Sequence, residues 1–123
     1  MNDLASFSAD REGDVVVGVL SGEVDLSNAL EIERTIADAV PNSARGLVLD
    51  LSALSYIDSS GIRLMLSLAG SLRWRGQDLV IAIPERSHCR RVLSMAGIGR
   101  SVALETSTEE ARARLAESGS GSA

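Results

Sequence analysis

The sequence predicts an α/β fold in which a mixed, mostly parallel sheet of four to five strands packs against about four helices. Short β-branched and aliphatic runs alternate with stretches of helical periodicity, which is typical of this class. One run is apolar throughout, as expected for a strand covered on both faces. The 123 residues, 45% of them hydrophobic, suffice for one domain with its own core and are too few for two.

The first half of the chain contains three predicted strands and one helix. Residues 4–10 are expected to form an antiparallel edge strand, and the β-branched run Val15–Leu20 predicts the second strand, with residues 21–25 as its exit loop. Residues 46–51 form the apolar run and predict a central strand. The first helix is predicted over residues 26–40, because apolar residues recur with helical spacing at Ala29, Ile32, Ile36 and Val40.

The second half repeats this alternation of strands and helices. A helix is predicted over residues 62–75, followed by Gly76, which favours a left-handed turn after a helix. Residues 78–83 predict the next strand. Ser87 is expected to cap a third helix, in which Cys89 faces the core.

The chain ends, in this interpretation, with a short strand, a helix and a tail. Residues 101–104 predict the strand, and residues 107–110 form a capping box that begins the helix. Residues 117–123 are rich in glycine and serine and are expected to form a flexible tail. The predicted domain therefore comprises residues 1–116.

Composition excludes several kinds of chemistry. All 12 basic residues are arginine, which excludes Schiff-base catalysis and the lysine-bearing phosphate loop. The single histidine, His88, and single cysteine, Cys89, cannot build a structural zinc site or an internal disulfide. We therefore expect no metal and no cofactor. A lone cysteine, no signal peptide and no apolar run near 18 residues predict a cytoplasmic protein without membrane contact.

Charge is distributed unevenly along the chain. The formal net charge is −5, but residues 1–62 hold 11 acidic residues and three arginines, a net charge of −8. Residues 63–123 hold six acidic residues and nine arginines, a net charge of +3. The acidic first part predicts no direct contact with nucleic acid. The arginines of the second part are interpreted as solvated helix surface.

Two polar loops are the candidate functional sites. Residues 58–61, Asp-Ser-Ser-Gly, directly precede the strongly apolar second helix, and these residue types are also those of an ordinary helix N-cap. Residues 22–25, Gly-Glu-Val-Asp, follow the second strand and equally suit an acidic strand-to-helix turn. Loops that follow parallel strands lie along one edge of a sheet. We therefore expect Asp25 and Asp58 to lie on the same edge.

Four segments carry a family resemblance by their order and spacing. They are residues 21–25 (Ser-Gly-Glu-Val-Asp), 46–52 (Gly-Leu-Val-Leu-Asp-Leu-Ser), 56–62 (Tyr-Ile-Asp-Ser-Ser-Gly-Ile) and 92–98 (Val-Leu-Ser-Met-Ala-Gly-Ile). Together they resemble the STAS domain, and most of all the free-standing bacterial anti-sigma factor antagonists. The resemblance extends from about Val15 to Leu115, nearly the whole chain.

The resemblance implies a phosphorylation switch. Members of that family bind an anti-sigma factor that is also an ATP-dependent serine kinase, and the kinase ends the interaction by phosphorylating a serine of the Asp-Ser-Ser/Thr-Gly motif. A phosphatase resets the antagonist, which is not itself an enzyme. Here the implied acceptor is Ser59, with Ser60 as the alternative. The antagonist thereby frees or sequesters a sigma factor indirectly.

The predicted partner surface combines both loops with the second helix. If Ser60 is the N-cap, its hydroxyl is held by a backbone amide and Ser59 is freer to reach a kinase. The helix is apolar over more than half its circumference, so its second apolar face either contacts a partner or is also buried. The predicted partner-binding residues are Glu23, Asp25, Asp58, Ser59, Ser60, Gly61, Ile62, Leu64 and Leu68.

Two other functions stay open at this point. A hydrolase would use Ser59 as nucleophile and His88 as base, but the sequence has no Gly-x-Ser-x-Gly elbow. A STAS domain can also be a ligand-binding or nucleotide-binding module, or a scaffold subunit of a sensor or transporter complex, because one fold serves several roles. The oligomeric state is left open as well.

Overall fold

The computed structural model describes residues 3–121, in which six strands alternate with four α-helices. The strands are β1 (Ala5–Glu12), β2 (Val15–Val24), β3 (Gly46–Asp50), β4 (Leu54–Ile57), β5 (Asp78–Ala82) and β6 (Ala103–Glu105). The helices are α1 (Ala29–Asp38), α2 (Ser59–Trp74), α3 (His88–Met95) and α4 (Thr108–Gly121), with a 3-10 turn at Ile98–Arg100. The predicted α/β class is confirmed. None of these helices has the length and apolar character needed to cross a membrane.

The strands form one mixed sheet in the order β1-β2-β3-β5-β6. β1 lies at one edge and pairs with β2 in antiparallel orientation, as predicted, whereas all other pairs are parallel. β2 contributes to two parallel pairs along its length. Its first half pairs with β3, and residues 22–24 pair with β4. The end of β2 therefore lies beside β4 and the start of α2.

The central strands are covered on both faces. In β3, Leu47 and Leu49 belong to a large apolar cluster to which α1, α2 and α3 contribute. Val48 points to the opposite face and belongs to a second cluster with Ala111 and Leu115 of α4. This alternation follows from the two-residue period of a strand. The apolar run in the sequence is thus a buried central strand, as predicted.

The prediction of four to five strands is wrong by one strand. β4 is short, and its middle residues Ser55 and Tyr56 are exposed, so the sequence shows no apolar run there. β2 also continues to Val24, and the predicted exit loop over residues 21–25 is mostly strand. The register between β2 and β4 shifts after Gly22, where Ser55 of β4 is the extra residue, and Gly22, with a φ of 93°, lets β2 continue through this irregularity.

Helix boundaries also differ from the predictions. α1 begins at Ala29 because residues 25–28 form a turn, and α2 begins at Ser59, three residues before the predicted start. β6 lies at 103–105. α4 runs to Gly121 and so includes the first five residues of the predicted tail, whereas residues 122 and 123 lie outside the described residues.

α2 approaches the sheet most closely at Gly61. A Cβ atom on this residue would lie 2.3 Å from Cγ1 of Ile57 and 3.2 Å from Cγ1 of Val24. Non-bonded carbon atoms prefer distances near 3.5–4.0 Å, so a side chain at position 61 does not fit there. The glycine therefore allows the first turn of α2 to rest directly on the ends of β2 and β4.

We expect Gly61→Ala to lower the free energy of unfolding by about 1–3 kcal/mol, because the added methyl group overpacks the contact with Ile57. Gly70→Ala is the matched control on the same helix: Gly70 is exposed, and its added Cβ meets no atom within 4 Å. The control should be neutral or stabilising by up to about 1 kcal/mol. Urea unfolding measures both, and equal effects would contradict the assigned role of Gly61.

Candidate functional site

Asp58 caps the N-terminus of α2. Its backbone is extended, with φ −118° and ψ −166°, and its Oδ1 accepts hydrogen bonds from the amides of Ser60 at 2.9 Å and Gly61 at 3.3 Å. The amide of Ile62 donates to the carbonyl of Asp58. The condition considered from the sequence, that Ser60 is the N-cap, is therefore not met. A carboxylate is the stronger acceptor at the positive end of the helix dipole, and the extended backbone places it over the first turn.

The two serines after Asp58 differ in exposure. Ser59 is the first residue of α2 and is exposed, whereas Ser60 is half-buried and faces α1. The reason for preferring Ser59 as a modification site is therefore its exposure and not a capping bond made by Ser60. Ser59 lies directly at the surface beside the carboxylate that holds the turn.

The turn between β2 and α1 is held by Asn28. Its side chain is 1% exposed, its Nδ2 donates to the carbonyl of Glu23 at 2.9 Å, and its Oδ1 accepts from the amide of Asp25 at 3.0 Å. The Asp25 carboxylate accepts from the amide and the hydroxyl of Ser27, at 2.8 and 2.5 Å. These bonds fix the direction of the Asp25 side chain.

The two loops meet in a cleft of about 630 Å³ at the carboxyl ends of β2 and β4. The structure thus brings Asp25 and Asp58 together, as their positions after parallel strands predict. Three of the six lining residues are acidic and none is basic, which makes the cleft acidic. The lining residues are Glu23, Asp25, Leu26, Ser27, Tyr56 and Asp58.

A groove of about 330 Å³ between α1 and α2 continues from this cleft and shares Leu26 with it. Two leucines on its rim are unusually exposed, with 82% of Leu26 and 61% of Leu30 accessible to solvent. Further along the groove, the hydroxyl of Ser67 donates to the Glu33 carboxylate at 2.6 Å. The lining residues are Leu26, Ala29, Leu30, Glu33, Ser60, Arg63, Leu64 and Ser67.

Several residues predicted to bind a partner are buried instead. Leu68 is 0% exposed, so the prediction that it contacts a partner is wrong. Leu64 is 3% exposed and forms only the floor of the groove. Gly61 is buried against β4, and Ile62 is half-buried against the core. The broad apolar surface of α2 therefore belongs mostly to the core, because the helix packs between α1 and the sheet.

Four exposed residues of this surface were not predicted from the sequence: Leu26, Leu30, Tyr56 and Arg63. The spacing of residues in the sequence could have indicated two of them. Leu26 and Leu30 are four residues apart, and they do not belong to the row of buried apolar residues of α1 that contains Ile32 and Ile36. No comparable pattern distinguishes Tyr56 or Arg63.

No hydrogen bond joins Ser59 to His88, the two residues of the hydrolase alternative, in the described part of the chain. His88 is exposed at the start of α3 and is not among the residues that line the acidic cleft. Cys89 is buried in the core, as predicted, and burial raises the pKa of its thiol. Within residues 3–121, no group of three or more His, Cys, Asp or Glu side chains is arranged to hold a metal ion.

The sequence pattern of the STAS domain matches residues 6–111. The chain belongs to the STAS domain family. This STAS domain is 33% identical over 107 residues to BtrV of Bordetella bronchiseptica, which is named as a candidate anti-sigma factor antagonist, and the alignment covers 87% of this chain and 91% of BtrV.

Two solved structures are similar to this STAS domain. An anti-sigma factor antagonist from Mycobacterium paratuberculosis has the same fold, with a TM-score of 0.79, 22% identity and coverage of 90% of this chain and 93% of that one. The Bacillus cell fate determinant SpoIIAA, solved in its phosphorylated form, gives a TM-score of 0.63 and 26% identity and covers 89% of this chain and 99% of that one.

We expect Asn28→Ala to lower the free energy of unfolding by about 1–3 kcal/mol, because the carbonyl of Glu23 and the amide of Asp25 both lose a hydrogen-bond partner. Asn42→Ala is the control. Asn42 is exposed, and its side chain accepts one bond from Arg75 at 3.3 Å. That change should remain within about 0.5 kcal/mol of the parent. Chemical denaturation followed by circular dichroism compares the two, and similar losses would count against an anchoring role for Asn28.

Proposed function

We propose that this STAS domain is an anti-sigma factor antagonist that binds an anti-sigma factor serine kinase and is released when Ser59 is phosphorylated. The position of Ser59 carries the proposal: it is exposed at the first residue of α2, between the acidic cleft and the apolar groove. The antagonist names of relatives and the phosphorylated form of SpoIIAA support it.

The surface around Ser59 has the make-up of a protein interface. Interfaces combine a few apolar anchors with a polar rim. Leu26 and Leu30 supply exposed apolar anchors, and Tyr56 supplies an aromatic one that is 45% exposed. Glu23 and Asp25 supply negative charge on the cleft side. We call these five residues together with Ser59 the docking face.

The proposed modification is a phosphoryl transfer from ATP held by the kinase. The Oγ of Ser59 forms a bond to the γ-phosphorus, the bond from that phosphorus to the bridging oxygen breaks, and ADP leaves. The hydroxyl proton passes to a base of the kinase. In this proposal Asp58 fixes the backbone that presents Ser59, because its Oδ1 already accepts from two amides of α2.

Charge accounts for release of the partner. A phosphoserine adds a charge of about −1.5 to −2 at neutral pH. An acidic group of this domain at about 6 Å from the phosphate repels each added charge by roughly 3 kcal/mol. This value applies at an effective dielectric constant near 20, before screening by salt. The favourable effect of the helix dipole is smaller, about 0.3–1 kcal/mol. An unmatched charge in an interface costs about 2–5 kcal/mol, enough to end binding without refolding.

We expect the cognate kinase and ATP to add one phosphate to the parent chain and to Ser60→Ala, and none to Ser59→Ala. Intact-mass spectrometry measures the addition. The phosphorylated chain should bind the kinase at least about 30-fold more weakly than the unmodified chain, because of the unmatched charge. Transfer to Ser59→Ala but not to Ser60→Ala would move the site to Ser60. Binding of the kinase without transfer to either serine would favour a scaffold role.

We expect Leu30→Ser to weaken binding of the unmodified chain to the kinase by about tenfold or more, because it removes an apolar anchor from the docking face. Trp74→Ser is the matched control. Trp74 is also an exposed apolar residue, but it lies at the opposite end of α2, roughly 22 Å from Ser59 along the helix axis. Calorimetric titration measures both affinities, and equal weakening by the two changes would refute this placement of the docking face.

A further inference from the structure

Arg63 lies one helical turn after Ser59, on the wall of the groove between α1 and α2. Side chains four residues apart on a helix are neighbours, with Cβ atoms roughly 5–6 Å apart. The Cα–Cβ bonds of a helix point toward its N-terminus, so the side chain of Arg63 starts toward the turn that carries Ser59. The guanidinium of Arg63 is therefore within reach of a group attached to the Ser59 hydroxyl.

The guanidinium of Arg63 is not committed to another group. Its side chain is exposed, and no hydrogen bond or ion pair joins it to any residue of the described part of the chain. The acidic residue of the same groove, Glu33, instead accepts a hydrogen bond from Ser67. Arg63 is thus free to bind an anion on this surface.

The backbone of α2 offers little to a phosphate on Ser59. The amides of Ser60 and Gly61 donate to Oδ1 of Asp58, and the amide of Ile62 donates to the Asp58 carbonyl. A phosphate would have to displace this cap before it could bind those amides. These occupied amides favour compensation of the added charge by a side chain.

Arg63 is the one basic residue among the described residues that line the cleft and the groove. The acidic residues of the same lining would all repel a phosphate group. They are Glu23, Asp25, Glu33 and Asp58. Among these lining residues, Arg63 is therefore the single cation available to a dianion on Ser59.

We propose that Arg63 binds the phosphate group on Ser59 and holds it across the entrance of the groove. This inference rests on the proposed function and names a residue that regulates the same site. A guanidinium binds phosphate oxygens through two parallel hydrogen bonds, which fixes the direction of the phosphate. The pair keeps the added charge beside Leu30, on the docking face, where a partner would have to desolvate it.

The experiment uses the full chain with phosphoserine incorporated at position 59 during synthesis, so no kinase is needed. Phosphorus NMR follows the second ionisation of the phosphate, whose ordinary pKa is about 6. A positive neighbour favours the dianion and lowers this pKa. Arg63→Gln should therefore raise the pKa by about 0.3 or more, and Arg63→Lys should retain part of the lowering. The acidic neighbours raise the pKa in every variant alike.

Arg112→Gln is the matched control, because it removes the same charge at a distance. Arg112 pairs with Glu12 at 2.8 Å, and Glu12 pairs with Val15 at the start of β2. That end of β2 lies roughly 30 Å from Val24. A raised pKa in Arg63→Gln with no change in Arg112→Gln supports the pair. An unchanged pKa in Arg63→Gln, or equal changes in both variants, overturns it.

The two proposals fail separately. Because the phosphoserine is introduced chemically, the NMR result does not depend on whether a kinase modifies Ser59. A missing Arg63 effect would leave the phosphorylation proposal intact, whereas absence of transfer by the kinase would leave the measured ion pair intact.

Discussion

The site depends on the close contact between the first turn of α2 and the ends of β2 and β4. At Gly61 the helix backbone comes so near to Ile57 and Val24 that no side chain fits between them. This contact sets the position of Asp58 and Ser59 relative to the turn that carries Asp25. The acidic cleft exists because the start of a helix and the end of a strand lie together, where residues 22–24 of β2 pair with β4.

Much of the fold is readable from the sequence because its strands and helices have strong periodic signals. The apolar run in β3 predicts a strand buried on both faces, and Ser87 predicts a helix cap that the structure contains. β4 carries no such signal, since two of its four residues are exposed and its register with β2 is interrupted by an irregularity after Gly22. Tertiary contacts, not local preference, create that strand.

The candidate site was predictable in its position but not in its details. Parallel-strand topology places Asp25 and Asp58 on one edge, and the structure does so. The sequence could not decide which residue caps α2, because Asp and Ser are both good caps and the choice depends on the backbone angles at Asp58. The sequence also could not show which apolar residues of α2 are buried and which are exposed. Burial of Leu68, for example, depends on how α2 packs against its neighbours.

The buried side chain of Asn28 bears on how fast the proposed switch can respond. It ties the Asp25 turn to the end of β2 through groups inside the fold, away from the surface where Ser59 is exposed. In the proposed role, a phosphate on the exposed Ser59 hydroxyl therefore breaks none of the hydrogen bonds that Asn28 makes inside the fold. In the proposed role, the delay before a signal passes is then set by the enzymes that add and remove the phosphate.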